Sequence, residues 1–273
     1  MMRSLWTAAS GMTSQQLNVD TIAHNLANVN TYGYKKEKLE FKSLLYETIK
    51  TADKDPNSQI GMPVNLQVGH GVRPMATSRY FTRGSFEITE NPLDLAIDGD
   101  GFFVIQRSEG EITYTKDGSF KLSNTEDGGR MIVTSDGYPV LSTDGEPVVI
   151  PPEVVIDELS IGENGMMSFM NADGELEELD QVIGLVQFTN VQGLEAIGSN
   201  LYQVTPASGE AIYEFDGELP EPSKLVQGVV EMSNVQVAEE MVKMIVAQRA
   251  YELNSKAIQT SDDMLQLANN LKR

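Results

Sequence analysis

The chain has 273 residues, 40% of them hydrophobic, no cysteine and a formal net charge of −20. The length suits one large domain or two medium ones, and the lack of cysteine rules out disulfides, thiol nucleophiles and thiolate metal sites. The negative balance opposes a phosphate backbone and disfavours nucleic-acid binding. No apolar run reaches the ~18 residues a membrane-spanning helix needs.

The first 33 residues read as a helix. Leu5, Ala8, Met12, Gln15, Val19, Ile22, Leu26 and Val29 alternate at spacings of three and four, a heptad stripe interrupted only by Gln15. Gly33 follows the last apolar position and suits a helix stop. Asn25, Asn28 and Asn30 are poor helix formers. They read either as hydrogen-bonding groups between packed helices or, for 28–31, as cap and turn residues. The opening segment turns polar at Thr13–Gln16 without forming an apolar h-region, so it is not read as a Sec-type signal peptide.

Residues 34–60 mix charge with Leu39, Phe41, Leu44, Leu45, Tyr46 and Ile49, and are compatible with a helix or an extended arm; 51–63 read as a loop. From about 64 to 230 the pattern is short strands and tight turns. FFVIQ (102–106), EITYT (111–115), MIVTS (131–135) and GLVQFT (184–189) are punctuated by Asp117-Gly118, Asp127-Gly128, Asp136-Gly137, Asp144-Gly145 and Asp173-Gly174. No regular strand–helix alternation occurs, which argues against a Rossmann-like or barrel enzyme. Charge is uneven: residues 151–180 hold nine acidic and no basic residues, whereas 235–273 hold five of each.

The last segment returns to helix. Val237, Met244, Tyr251, Ile258 and Leu265 recur every seven residues, Ser233 or Asn234 is a candidate cap, and Lys272 and Arg273 sit where a helix dipole favours positive charge. Two amphipathic ends thus flank a β-rich middle. They are expected to pair with each other and to leave apolar surface for neighbouring copies or the middle domain to cover.

Chemical sites are weakly signalled. Asp94, Asp98 and Asp100 cluster, but lack the spacing and terminal glutamate of a calcium loop, so Asp98-Gly99-Asp100-Gly101 reads as a turn. His24 and His70 have no metal-ligand spacing, and no G-x-S-x-G motif occurs. The expectation is no catalytic residue, no metal, no cofactor and no enzyme.

Ser10-Gly11-Met12, Gln16, Asp20, Ile22-Ala23, Asn25-Leu26-Ala27-Asn28-Val29, Thr31 and Gly33-Tyr34-Lys35 together resemble the signature of flagellar basal-body rod and hook proteins. GSFEITENPLDLAIDGDGFFVI (84–105), YTKDGSF (114–120) and the run from Leu225 to Arg273 extend the resemblance over essentially the whole chain, most like the family's distal rod members. The resemblance implies a structural subunit that polymerises helically into a hollow, rigid drive shaft. An inner coiled-coil-like domain (1–33 and 235–273) would line the export channel, an extended arm (34–70) would connect, and a mainly β body (71–234) would lie outside. Leu5, Met12, Val19, Ile22 and Leu26 would pack with Val237, Met244, Tyr251, Ile258 and Leu265 within and between copies, with Asn28 and Gly33 forming the turn. Implied partners are copies of the chain, proximal rod proteins, hook protein, surrounding ring or bushing proteins and the flagellar type III export apparatus. Nucleic acid and membrane insertion are not implied. The implied location is the basal body in the periplasm, reached without a cleaved signal peptide; a hook or proximal rod subunit is the alternative.

Overall fold

A computed structural model describes residues 2–50, 65–107, 110–125, 128–152, 154–170, 176–214 and 222–270. Two units partition the chain. Residues up to Ala27, Glu37–Arg79 and those from Gln236 onward form a helical unit; Asn28–Lys36 and Tyr80–Val235 form a β body.

In the helical unit, α1 spans Met2–Ala27 and α2 spans Val237–Asn270. α1 ends six residues before the stop expected at Gly33, so Val29 lies beyond the helix. Asparagine chemistry explains the early end: the Thr31 N–H donates to the Asn28 carbonyl at 3.3 Å and the Thr31 hydroxyl bonds Asn28 Oδ1 at 3.2 Å. Gly33, at φ 65°, then takes a left-handed conformation that disfavours a side chain. α2 begins with the Glu240 N–H bonding the Gln236 carbonyl at 3.0 Å. The expected caps serve elsewhere. The Asn234 amide accepts from Lys36 N and donates to the Tyr80 and Thr82 carbonyls within the body. Lys272 and Arg273 lie outside the described residues.

The ambiguous stretch after α1 is neither helix nor unpaired arm. Glu37–Ser43 pairs antiparallel with Val72–Arg79, and Tyr46–Lys50 pairs with Leu66–Gly69, giving two successive ribbons. The first ribbon packs on α1. The division therefore differs from the one expected: 37–79 goes with the helices and 28–36 with the body. The loop expected over 51–63 lies outside the described residues.

The body centres on a six-stranded antiparallel sheet ordered Glu195–Gly198, Leu201–Gln203, Ile112–Thr115, Phe102–Gln106, Leu185–Gln187, Ile212–Tyr213. Both faces of its central strand are covered. Phe103 and Ile105 enter one apolar cluster with Phe120, Ile132, Val148 and Met167; Phe102 and Val104 enter another with Tyr114, Phe188 and Tyr202. That accounts for a run of four apolar residues where a half-exposed strand would alternate. The Asp-Gly pairs divide into two kinds. Gly137 and Gly145 have φ of 88° and 83°, as tight turns require. Gly118 is needed instead for close approach, because a Cβ there would fall 1.6 Å from the Leu95 carbonyl oxygen. Asp98-Gly99-Asp100-Gly101 joins strands Leu95–Asp98 and Phe102–Gln106, which pair with different partners, so it crosses between sheets and closes no hairpin. Asp173-Gly174 lies outside the described residues, as does Asp127.

Where residues 28–36 enter the body, a buried charged node holds them. Lys35 Nζ lies 2.6 Å from Glu231 Oε1 and donates to the Thr82 carbonyl at 3.1 Å; the Gly84 N–H donates to the same Glu231 oxygen at 2.7 Å. Lys116, also buried, donates to the Gly99 carbonyl at 3.0 Å over the Phe102 ring. Burial lowers the Lys35 pKa, with Glu231 pulling the other way. Burial, reinforced by Lys35, pushes Lys116 down to about 8. Between about 8 and the ordinary lysine value of 10.5, the unfolded chain keeps a proton that folded Lys116 has released, so raising the pH stabilises the fold over that window. Denaturant unfolding at two pH values inside it should show stability rising with pH, and Lys116→Met should flatten the rise. An unchanged slope in the variant would show that Lys116 is charged in the folded protein.

Candidate assembly interface

α1 and α2 pack antiparallel, and three contacts define their register. Ser4 Oγ lies 3.2 Å from Ser261 Oγ. Gly11 sits under Asn254, whose Nδ2 would be 2.8 Å from an added Cβ. Asn25 Nδ2 lies 3.3 Å from Glu240 Oε2. Each advance along α1 from Ser4 to Gly11 to Asn25 is matched by an equal retreat along α2. Small side chains keep the helices close; Ala8, Ser14, Ala247 and Ser261 are buried. Of the expected packing residues, Ile22 is buried, and Leu5, Met12, Val19, Leu26, Met244, Ile258 and Leu265 are half-buried. Val237 and Tyr251 stay exposed at 43% and 41%. Val19 and Tyr251, with Gln16, Gln248 and Glu252, line an open groove of ≈ 390 Å³ along the helices.

A polar junction sits where α2 starts. Asn25, 1% exposed, uses both ends of its amide on one residue of the first ribbon. Its Oδ1 accepts the Glu37 N–H at 2.9 Å and its Nδ2 donates to the Glu37 carbonyl at 2.8 Å. The same Nδ2 reaches Glu240, whose other carboxylate oxygen accepts Lys243 Nζ at 2.6 Å. Sequence reading singled out Asn25 but missed Glu240; the available signal was a carboxylate four residues before Met244, on the same helical stripe.

The far side of α2 is the largest unpartnered feature. Met241, Val242, Ile245, Val246, Leu253, Met264 and Leu267 are 51–66% exposed. At about 100° per residue, Val242 and Ile245 fall opposite the face formed by Glu240, Ala247 and Ser261; Met241 flanks that face on one side, Val246, Leu253 and Leu267 on the other, and Met264, three residues from Ser261, lies next to it. α2 is thus apolar on two sides, a pattern of helices surrounded by protein. Trp6 and Met2 extend exposed apolar surface on α1, and Leu45, Tyr46, Ile49 and Leu66 do so on the second ribbon.

Charge is divided as sharply as hydrophobicity. The body, residues 28–36 and 80–235, carries 29 acidic and 8 basic residues, a net −21. The helical unit carries 11 acidic and 12 basic residues, a net +1.

Among the described residues, nothing comparable is organised for catalysis. A body cavity of ≈ 210 Å³ has Glu214 as its one titratable lining residue among those described. That carboxylate already accepts from Gln187 Nε2 at 3.1 Å and from the Ser223 N–H at 2.7 Å. Asp94 is bound by Asn91, and Asp98 by Arg83. His70 stands 3.5 Å from Glu47, which is also paired with Arg3 at 2.7 Å. No metal-binding group of histidines and carboxylates occurs among the described residues, and no described helix is long and apolar enough to cross a membrane.

Three family models match in chain order: "Flagella basal body rod protein" over residues 5–35, "Flagellar hook protein FlgE/F/G D1 domain" over 96–169, and "Flagellar basal body rod FlgEFG protein C-terminal" over 226–271. The flagellar basal-body rod protein FlgG of Borreliella burgdorferi is 50% identical over 274 residues, covering 100% of both chains. The proteins of that name from Caulobacter vibrioides, 42% identical over 99% of this chain and 100% of its own, and from Bacillus subtilis, 40% identical over 100% of both, are similar throughout. Among solved structures, a Helicobacter pylori flagellar hook protein FlgE2 shares 16% identity over 59% of this chain and 45% of its own, with a TM-score of 0.22, too slight to argue from.

Proposed function

Because the chain belongs to the flagellar basal-body rod protein family, we propose that it is a distal rod subunit. It is a structural protein, not an enzyme, that polymerises helically through its terminal helices into a hollow, rigid shaft. The observation that carries this reading is the second apolar face of α2, which α1 leaves uncovered. Half-exposed Val, Ile and Leu side chains gain about 1 kcal/mol each when fully covered. Five of them, Val242, Ile245, Val246, Leu253 and Leu267, amount to about 5 kcal/mol per copy, enough to drive association once many copies add up. Copies of the same chain are the natural cover. A contact between two different surfaces of one molecule propagates as an open helix wherever its rotation does not close a ring.

The shaft would carry the export channel at its centre and transmit torque outward. The α1–α2 pair would form its inner layer as a coiled-coil-like element. The listless side-by-side packing of small residues at Ala8, Gly11 and Ala247 suits helices that must sit close around a narrow bore. Neighbours would be proximal rod proteins, hook protein, ring proteins and the flagellar export apparatus, in the periplasm. The body's net −21 favours contact with water over close packing between bodies.

Two outcomes test this. Val246→Asp with Leu253→Asp should abolish tubes in electron micrographs while leaving the helix content and the thermal transition of the body within error of the parent. Tubes formed as readily by the variant would remove the back face from the interface. Because the bodies repel one another, assembly should also be promoted by sodium chloride, as screening shortens from ~30 Å at 0.01 M to ~8 Å at 0.15 M. Assembly that weakens with salt would mean that opposite charges hold the copies together.

A further inference from the structure

The apolar seam of the helix pair is nearly degenerate in register. Along α2, Met244, Tyr251, Ile258 and Leu265 occupy one repeating position and Ala247, Asn254 and Ser261 another. A slide of one heptad puts a large residue where a large one was and a small one where a small one was. Glu240 occupies the first place in the small series and breaks the repeat. It is 2% exposed, so its carboxylate must find donors inside the pair.

In the observed register those donors are present. Lys243 Nζ, 2.6 Å from Oε1, lies on the same helix and travels with Glu240 in any register; Asn25 Nδ2, 3.3 Å from Oε2, is the donor that only the observed register supplies. Asn25 cannot turn away, because Glu37 holds both ends of its amide at 2.8 and 2.9 Å. A slide one way carries Glu240 opposite Asn18, whose amide bonds Gln15 Oε1 at 3.4 Å within its own helix and is not clamped at both ends by the ribbon as Asn25 is. A slide the other way carries it past the end of α1 and puts Ala247 against Asn25. The favourable placement of acids at a helix N-terminus does not account for Glu240, since Glu239 is exposed in the same turn and serves that purpose without burial.

We infer that Glu240 is the register-determining residue of the helix pair, and that the Asn25 amide, held by Glu37, is the fixed mark it reads. A single polar position that sets register at some cost in stability is a known use of buried polar groups in paired helices. The inference concerns the pairing of α1 and α2 within one chain and does not rest on polymerisation.

The cysteine-free sequence allows a direct test in the full-length protein. Paired cysteines at Ser4 and Ser261 report the observed register, where the two hydroxyl oxygens are 3.2 Å apart. Pairs at Ser4 and Asn254, or Ser4 and Ala268, report slides of one heptad. In the observed register each of these is displaced by about 10 Å along the helix, beyond disulfide reach. On mild oxidation, the 4/261 pair should form its intramolecular disulfide at least about tenfold faster than either off-register pair. Glu240→Leu should bring at least one off-register pair to within about threefold of 4/261, whereas Glu240→Gln, which still accepts from Asn25, should keep the tenfold preference. If Glu240→Leu loses helix content by circular dichroism, Glu240→Ala, matched to Ala247, makes the same comparison. A full preference surviving both apolar substitutions would overturn the inference, as would equal loss in Glu240→Gln.

Discussion

An α-helix with apolar residues on more sides than one partner covers cannot be satisfied by that partner alone. α2 is such a helix. One side meets α1 through small residues, and the other presents Val242, Ile245, Val246 and Leu253 to solvent. Much else in the molecule follows from that constraint. The ends of the chain must come together, because α1 covers one side. The body must be able to fold without them, and it has its own two apolar clusters around Phe102–Gln106. The second side of α2 remains for other molecules, and the family to which the chain belongs makes copies of itself the expected occupant.

Division of labour between the two units is as much electrostatic as structural. The helical unit is close to neutral, so apolar burial there meets little long-range opposition. The body carries the chain's negative charge and its independent core. Attraction and repulsion are thereby placed on different parts of one chain, which favours a defined polymer over indiscriminate aggregation. Entry of the chain into the body is fixed by polar chemistry. Lys35, Glu231 and Asn234 hold residues 33–36, 80–84 and 231–234 together through buried and part-buried hydrogen bonds, and such a node is costly to leave half-made.

Much of this was legible in the sequence. Heptad spacing located both helices, and the Asp-Gly pairs at 136–137 and 144–145 marked turns that need positive φ. Other features were left open or missed. The end of α1 reads from sequence either at Gly33 or at a turn over 28–31, and the bonds between Asn28 and Thr31 decide for the turn. Residues 37–50 pair as ribbons with 66–79 only because distant segments meet, and the mixed pattern of 34–60 fitted a helix or an extended arm equally. Gly118 looked like a turn glycine by its neighbour Asp117, but it is required by the Leu95 carbonyl, a contact across 23 positions. At the interface, Met244, Ile258 and Leu265 of the α2 stripe are half-buried while Val237 and Tyr251 stay exposed. Val242, Ile245, Val246 and Leu253 fall outside that seven-residue repeat, which therefore did not mark them.

The most direct measurement is electron cryomicroscopy of assembled full-length protein at a resolution that places side chains. The account predicts that Val242, Ile245, Val246 and Leu253 of each copy lie buried against helices of a neighbouring copy, around a central bore. Those four side chains facing open solvent in the assembled state would contradict it.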